Sequence, residues 1–420
     1  MKLNIPRGTF DLLPGQVEKW QYVENKIRDL CRSYHFSEIR TPIFERTELF
    51  QRGVGETTDI VEKEMYSFED RSGRSLTLRP EGTASVVRSF VEKKMYVEPQ
   101  PTKLYYMGPM FRYERPQSGR YRQFHQFGVE VFGTEEPDVD AEIIDLGYRL
   151  YTSLGLSGVK VELNSVGCPD CRPNHREAMV EYLATKKDQL CQDCQSRLNR
   201  NPMRILDCKK ESCRQATEKA PRMIHYLCSK CAPHFEAVKE YLDELAVPYE
   251  VNTRMVRGLD YYTQTAFEFV LEGKGGGSLG GGGRYNGLVQ EVGGPDMAGI
   301  GFAVGLERIF LALEEQEITL PVQTGVDCFL VTLGSEAKKY GVTLLKKLRE
   351  SGLSAERDYL DRKLKGQMKA ADRIQAAYVA ILGDQELQEK KIGVKSLITG
   401  EQETIQLDHL VEYIRNGRKS

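Results

Sequence analysis

The sequence lacks the features that mark several large classes of protein. No stretch approaches the ~20 consecutive apolar residues that cross a bilayer, so we expect no membrane span. The first residues, MKLNIPRGTF, contain no long apolar segment, which argues against a secretory signal. The formal net charge is only −2, which excludes a polybasic nucleic-acid binder but leaves room for a locally basic surface.

Several catalytic and nucleotide-binding motifs are missing as well. The chain contains no G-x-x-x-x-G-K-[ST] phosphate loop, and GIGFAVG at 299–305 lacks the glycine spacing of a dinucleotide fingerprint. The metalloprotease motif H-E-x-x-H does not occur either. Any nucleotide must therefore be held by residues outside these motifs.

The residues that are present describe an ordinary folded protein with one unusual segment. The 420 residues are 40% hydrophobic and 29% charged, enough for a real core and for two to four domains. Eight of the ten cysteines lie between Cys168 and Cys231. In a chain without a signal peptide, such clustering favours a reducing, cytoplasmic setting and a metal site over a disulfide framework.

The hydropathy pattern divides the chain into two domains, 1–322 and 326–420. The first alternates helical and strand patterns and is interrupted at about 168–245 by a charged, largely helical insertion. The run GGGSLGGGG at 275–283 is flanked closely by apolar segments, so we expect a turn inside the domain rather than a linker. Alternating strands and helices predict a small α/β domain for 326–420.

Residues 102–132 predict two long strands joined by a polar turn. Alternation places Arg112 and Glu114 on one face of the first strand. The corresponding face of the second strand carries Phe124, Gln126, Gly128 and Glu130. If this face is buried, its polar groups need partners or a ligand; if it is exposed, they are ordinary surface charges. Arginines crowd the turn between the strands, which favours a phosphate-rich ligand.

The cysteines form three C-x-x-C pairs, CPDC, CQDC and CSKC, with a looser pair at Cys208 and Cys213. Two such pairs can supply four thiolates to a structural zinc ion, whereas the alternative is reduced or redox-active thiols in a mobile insertion. Spacing does not decide which pairs combine. Our first prediction for the ligands is the set of Cys191, Cys194, Cys228 and Cys231.

The segment FRYERPQSGRYRQFHQFGVEVFG closely resembles motif 2 of the histidyl-tRNA synthetases, a class II aminoacyl-tRNA synthetase family. Other segments resemble the remaining motifs of this family in the expected order. They are RGTFDLLP, RTPIFERTELF as motif 1 with Pro42, LRPEGTA, RGLDYYTQTAFEF, SLGGGGRYNGL and GIGFAVGLERI as motif 3. The cysteine pairs at 168–231 are not a general feature of the family.

The resemblance implies an α+β catalytic domain at 1–322 whose mostly antiparallel sheet is flanked by helices, and an α/β anticodon-binding domain at 326–420. It implies a homodimer formed through motif 1 and a helical insertion that reaches toward the tRNA acceptor arm. The implied enzyme is a cytoplasmic histidine–tRNA ligase that uses ATP with Mg²⁺, forms histidyl-adenylate and transfers L-histidine to tRNA(His).

The resemblance also assigns roles to individual residues. Arg112 and Arg257 match catalytic arginines near the α-phosphate. The residues matched to histidine binding are Glu81, Gly82, Thr83, Arg112, Gln126, Glu130, Arg257, Tyr261 and Tyr262. Those matched to ATP binding are Arg112, Glu114, Arg120, Phe124 and Arg308. Arg115 and Gln117 are candidates for contacts with the tRNA acceptor end.

Two other functions deserve comparison with this one. A regulatory paralogue of the synthetase fold binds histidine and controls an enzyme of histidine biosynthesis, but such proteins typically lack the C-terminal domain and parts of the active-site motifs. A zinc-dependent RNA-binding protein without catalysis would leave the polar strand around Gln126 and Glu130 unexplained. Both are less consistent with the sequence than the ligase.

Overall fold

The structure is a computed structural model that describes residues 3–55, 58, 60–115, 119–273, 277–322 and 324–417. It divides into two compact units. The first consists of Met1–Leu12 with Gln21–Leu320, and the second of Leu13–Trp20 with Pro321–Ser420. Among the described residues, no helix combines the length and the apolar composition needed to cross a membrane.

An eight-stranded sheet forms the centre of the first unit. The strands of the first unit are β1 (Ser37–Glu38), β2 (Phe44–Arg46), β3 (Tyr66–Glu69), β4 (Ser75–Leu78), β5 (Thr102–Phe111), β6 (Gln123–Phe132), β7 (Val159–Ser165), β8 (Tyr249–Val251), β9 (Thr263–Leu271), β10 (Gly277–Arg284) and β11 (Gly299–Gly305). Of these, β2, β3 and β4 form a separate small sheet, and the other eight form the central one. The spatial order is β1-β5-β6-β11-β10-β9-β7-β8. Pairing from β5 through to β7 is antiparallel, and only the two edge pairs are parallel.

Helices surround this sheet and build the insertion. They are α1 (Val17–Ser33), α2 (Thr47–Val54), α3 (Thr83–Glu92), α4 (Pro137–Ser153), α5 (Arg172–Ala184), α6 (Gln192–Arg200), α7 (Glu211–Ala216), α8 (Cys231–Glu244), α9 (Leu288–Glu291) and α10 (Leu306–Glu315). Short 3₁₀ turns occupy Met95–Val97, Lys187–Gln189, Pro202–Asp207 and Met223–Tyr226, and a π-turn occupies Ile60–Glu64. The antiparallel sheet, its flanking helices and the helical insertion confirm the predicted fold class.

The glycine run was predicted to be a turn, and this is wrong for its described part. Residues 277–283 form most of β10, which pairs with β9 on one side and β11 on the other. Glycine is required because the backbones of the neighbouring strands approach closely. A Cβ atom on Gly281 would lie 2.5 Å from the Phe267 carbonyl oxygen, and one on Gly282 would lie 2.0 Å from the Gly301 carbonyl oxygen. Low strand propensity concealed a central strand whose position depends on the lack of side chains.

The second unit contains a five-stranded sheet in the order β13-β12-β14-β15-β16. Its elements are β12 (Cys328–Leu333), α11 (Ser335–Glu350), β13 (Ala355–Arg357), α12 (Leu364–Arg373), β14 (Tyr378–Gly383), α13 (Asp384–Gln388), β15 (Lys391–Ser396), β16 (Gln402–Gln406), a 3₁₀ turn at Leu407–His409 and α14 (Leu410–Gly417). The α/β prediction is confirmed, although the sequence analysis did not identify the β15–β16 hairpin. This edge hairpin is half exposed and lacks a long apolar run, so its signal is weak.

A buried ion pair joins β10 to α4. Arg284 and Asp140 are both fully buried, and Arg284 Nε donates to Asp140 Oδ2 at 2.8 Å. Arg284 also donates to the carbonyl oxygens of Thr134 and Glu136 at 2.9 and 2.8 Å. Burial acts to raise the pKa of Asp140, but the Arg284 guanidinium and the His234 ring together outweigh it, and the pKa falls below its usual value. The pair therefore fixes one end of β10 against the helix layer.

Arg284→Met is expected to destabilise the first unit by about 3–5 kcal/mol, because it leaves the Asp140 carboxylate buried without its cation. Thermal unfolding followed by circular dichroism measures the loss. Arg149→Met is the matched control, since Arg149 is 58% exposed in its pair with Asp145 and should cost less than about 1 kcal/mol. Equal effects of the two substitutions would contradict the prediction.

Candidate active site

A cleft of about 740 Å³ lies over the central strands of the first unit. It collects side chains from segments that are far apart in sequence, including β4–α3, the β5–β6 hairpin, the loop before β9 and the start of α10. The residues predicted from sequence that line it are Glu81, Thr83, Arg112, Glu114, Arg120, Phe124, Gln126, Arg257, Tyr261, Tyr262 and Arg308. The geometry thus brings most of the predicted site together in one cavity.

A buried carboxylate, Glu130, lies beneath the floor of the cleft. It is fully buried on β6 and accepts hydrogen bonds from the hydroxyl groups of Thr83, at 2.7 Å, and Tyr285, at 2.5 Å. Burial raises the pKa of Glu130 to about 8. Since each carboxylate oxygen has a second lone pair, Glu130 can still accept a hydrogen bond from a ligand.

A second buried carboxylate, Glu81, lies at the start of α3. Its two oxygens accept from the backbone N–H groups of Thr83 and Ala84, each at 2.8 Å. Burial raises the pKa of Glu81 above its usual value, while these two N–H groups act in the opposite direction. Gln126 projects nearby into the cleft, and its buried Oε1 atom has no hydrogen-bond partner among the described residues. This end of the cleft therefore offers acceptors to a ligand that carries N–H groups.

Arg257 lies on the opposite wall. Its Nη1 atom is 2.7 Å from Glu268 Oε1, and its guanidinium lies 5.6 Å from the centre of the Tyr262 ring. A Cβ atom on Gly281 would be 2.7 Å from Arg257 Nη1, so glycine in β10 makes room for this side chain. The Nε atom of Arg257 has no partner within the described part of the chain. The guanidinium is therefore held in place while retaining donors for an anionic ligand.

The outer part of the cleft is rich in arginine. Arg112 Nε donates to the Pro80 carbonyl oxygen at 2.8 Å, and its guanidinium lies 5.2 Å from the centre of the Phe124 ring. Glu114 lies 3.8 Å from Arg112 and 3.5 Å from Arg120. The sequence pattern placed Arg112 and Glu114 on the first strand of the hairpin. In the structure, both residues follow the end of β5. Together with Arg308, these arginines create a positive wall suited to phosphate.

Of the described residues predicted for histidine, ATP or tRNA contacts, three do not line the cleft. Glu130 lies beneath its surface, Gly82 lies between two residues that reach it, and Arg115 is exposed outside it. Gln117 falls outside the described residues.

Sequence reasoning missed Tyr285 and Glu268, which hold Glu130 and Arg257 respectively. The sequence could have indicated Glu268, because it is the only charged residue of β9 and lies between two apolar residues. Tyr285 lies two residues after the glycine run, but nothing in its spacing linked it to Glu130.

The eight clustered cysteines form two groups of four. One group contains Cys168, Cys171, Cys228 and Cys231; the other contains Cys191, Cys194, Cys208 and Cys213. The predicted ligand set of Cys191, Cys194, Cys228 and Cys231 is therefore wrong, because its two pairs belong to different groups. The chain folds back from α8 to the start of α5, whereas α6 meets α7 and the turn before it.

Comparison with known proteins agrees with this geometry. A family model described as "Histidyl-tRNA synthetase" matches residues 8–309, and one described as "Anticodon binding domain" matches 327–417. An antiparallel catalytic sheet with an arginine-lined cleft, joined in one chain to an anticodon-binding domain, defines a class II aminoacyl-tRNA synthetase.

The relatives are similar along their whole lengths. The histidine–tRNA ligase of Anoxybacillus flavithermus is 56% identical and that of Bacillus subtilis 54%; the alignments cover 99% and 100% of both chains. The crystal structure of apo histidyl-tRNA synthetase from S. aureus is 48% identical, with a TM-score of 0.86 over 98% of this chain and 100% of that one. The chain belongs to the histidyl-tRNA synthetase family.

Proposed function

We propose that this protein activates L-histidine with ATP and transfers the histidyl group to tRNA(His). The observation that carries the proposal is the pair of buried carboxylates, Glu81 and Glu130, at a cleft that is also lined by Arg112, Arg120, Arg257 and Arg308. Such a cavity suits a cationic amino acid beside a polyphosphate. Similarity to histidine–tRNA ligases over the full chain supports the same reaction.

Histidine would lie over β6 with its ammonium near Glu81, Thr83 and Gln126. Its imidazole would lie between Glu130 and the paired rings of Tyr261 and Tyr262, whose centres are 4.7 Å apart. Gly82 leaves room for the ring of Tyr106, because a Cβ atom there would lie 2.2 Å from Tyr106 Cε2. One acceptor and one hydroxyl donor distinguish the two ring nitrogens and select a tautomer.

ATP would lie along the arginine-lined wall. Phe124 offers a ring for the adenine, while Arg120, Arg308 and Arg112 donate to the phosphates. A histidine carboxylate oxygen attacks the α-phosphorus, a new P–O bond forms, and the bond to the β-phosphate oxygen breaks as pyrophosphate leaves. Arg112 and Arg257 act as the catalytic residues by donating to the oxygens on which charge develops.

Magnesium would accompany the ATP. Mg²⁺ prefers carboxylate oxygens and phosphates and keeps several waters, and Glu114 fits this chemistry because its carboxylate lies among the phosphate-binding arginines. The ion neutralises phosphate charge when bound. The arginines orient the nucleotide in the same part of the cleft.

In the second step, the histidyl group would pass from the adenylate to the 3′ end of the tRNA. A hydroxyl of the terminal ribose attacks the histidyl carbonyl carbon, and AMP leaves. Arg115 and Gln117 are the residues we propose for the acceptor end, and the unit at 326–420 for the anticodon. We expect this reaction to take place in the cytoplasm, where charged tRNA is used.

A homodimer formed through motif 1 is also proposed. The segment around β2 leaves Ile43 45% and Phe44 51% exposed, and Phe68 on β3, across β4 in the same small sheet, is 46% exposed. These apolar side chains suit a buried interface. Light scattering should give twice the chain mass.

ATP–pyrophosphate exchange with each of the twenty amino acids, without tRNA, tests the proposed function. We expect exchange with histidine alone, because the buried acceptors match its imidazole and reject side chains that lack the two nitrogens. Folded protein that binds histidine but supports no exchange would favour the regulatory paralogue. The intact C-terminal unit and the presence of Arg112, Arg257 and Arg308 argue against that alternative.

A further inference from the structure

The insertion contains two groups of four cysteine thiols that the proposed reaction does not use. Within each group, the four sulfur atoms all lie within 4.8 Å of one another. Sulfur–sulfur distances are 3.6 Å for Cys168–Cys171, 3.8 Å for Cys168–Cys228 and 4.0 Å for Cys191–Cys208. All of these cysteines are free thiols in the structure.

These distances match one kind of metal site. A zinc ion with four sulfur ligands at ~2.3 Å separates the sulfur atoms by about 3.8 Å along each edge of the tetrahedron. A disulfide would require a separation of about 2 Å. A four-iron cluster also takes four thiolates, but it spreads them over the corners of a larger body, so its cysteine sulfurs lie farther apart than around a single ion.

The local backbone favours thiolates at both places. The N–H group of Cys228 donates to Cys171 Sγ, and the N–H group of Cys191 donates to Cys213 Sγ, each at 3.1 Å. Three of the cysteines stand at the beginning of a helix: Cys171 at α5, Cys191 at α6 and Cys231 at α8. The positive end of a helix stabilises a nearby thiolate.

We propose that each group binds one structural zinc ion, so that the insertion contains two tetrathiolate sites. The first site consists of Cys168, Cys171, Cys228 and Cys231, and the second of Cys191, Cys194, Cys208 and Cys213. Binding releases the thiol protons and leaves no coordination position for a water, so the ions hold structure and take no part in the reaction.

Each site supports a segment of the cleft wall. At the first site, Arg172 follows Cys171 and donates to the backbone carbonyl of Tyr262. Close by, Val166 and Gly167 exchange backbone hydrogen bonds with Gln264 at 2.7 and 3.0 Å. The first ion thus fixes the base of the insertion against the segment that carries Tyr261 and Tyr262 and leads into β9.

The second site lies in a small apolar core of the insertion that includes Cys194 and Cys213, and Val256 packs against this core. Val256 immediately precedes Arg257. Arg254 in the same loop donates to Thr217 Oγ1 at 2.9 Å, just after α7. The second ion thus supports the loop from which the Arg257 guanidinium enters the cleft.

Metal content of the full-length protein, purified without chelators and measured by mass spectrometry, tests the proposal. We expect about two zinc ions and almost no iron per chain. Cys168→Ser should retain one zinc, Cys208→Ser should retain one, and the double variant should retain none. Cys31→Ala is the matched control, because Cys31 is buried outside both groups and the variant should keep both ions.

Cobalt replacement keeps the test independent of whether the variants fold. The wild-type protein, stripped and reloaded with Co²⁺, should show the intense absorption of tetrahedral cobalt thiolate at two equivalents. Wild-type protein with almost no zinc and ten thiols that react in denaturant would overturn both sites, and a value of one ion per chain would overturn one of them. The metal count does not depend on histidine activation, so failure of the two proposals can be distinguished.

Discussion

Arg257→Ala should lower the rate of histidine-dependent pyrophosphate exchange by about 10²–10³-fold. The guanidinium is held by Glu268 and faces the cleft, and a preorganised donor of this kind acts on the charge that develops at the α-phosphate. Arg257→Lys should recover little, since an ammonium replaces a planar group with several donors by a single point charge. Steady-state exchange kinetics with histidine and ATP varied separately measure the effect.

Two substitutions complete this experiment. Glu268→Gln keeps the guanidinium but removes its ion pair, so its rate should lie between the wild-type and Arg257→Ala rates. Arg149→Ala removes an exposed arginine on α4, outside the cleft, and should leave exchange unchanged. A loss of less than tenfold in Arg257→Ala would remove Arg257 from the catalytic residues.

Glu130→Gln should raise the KM for histidine by about 10- to 100-fold and leave the KM for ATP nearly unchanged. The amide cannot serve as the same acceptor for a ring N–H, and a buried polar group left unpaired costs about 1–3 kcal/mol in binding. Exchange kinetics at saturating ATP measure the change. An unchanged KM for histidine would show that Glu130 does not recognise the imidazole.

The pH dependence of stability separates this role from a folding defect. The pKa of Glu130 rises from its usual 4.5 to about 8 on burial, so its contribution to folding is fully present below pH 4.5 and lost as the pH rises through 8. Glutamine does not titrate. Between pH 5 and 8.5 the wild-type protein should therefore lose about 2–4 kcal/mol of stability relative to Glu130→Gln, as measured by thermal unfolding. Parallel curves for the two proteins would contradict the raised pKa.

Local patterns predicted much of the fold because they reported local physics. The two strands of the 102–132 hairpin appear as β5 and β6, and alternation along β6 correctly placed Gln126 and Glu130 on one face. The apolar side chains after Pro137 recur at helical spacing in α4, and those at 159–163 alternate along β7. In the first part of β7, buried side chains alternate with half-buried ones, so the hydropathy repeats at the period of the strand.

Contacts between distant segments were beyond the reach of such patterns. Cys168 and Cys228 are sixty residues apart, and the partition of the cysteines depends on where α8 returns rather than on C-x-x-C spacing. The hydrogen bond of Tyr285 to Glu130 likewise joins two strands that are separated in the sheet by β11. Hydropathy did not predict the central strand β10, because glycines have no side chains that could form an alternating pattern.

That strand also bears on how the protein can vary. Every missense change at Gly281 or Gly282 adds at least one carbon atom where the neighbouring backbone already lies within 2.5 Å of its position. The middle of β10 therefore cannot accept single substitutions, whatever the chemistry of the new side chain. New specificity in a descendant of this protein has to arise on the flanking strands, on β6 beyond β11 or in the loop before β9, while the main chain between them stays as it is.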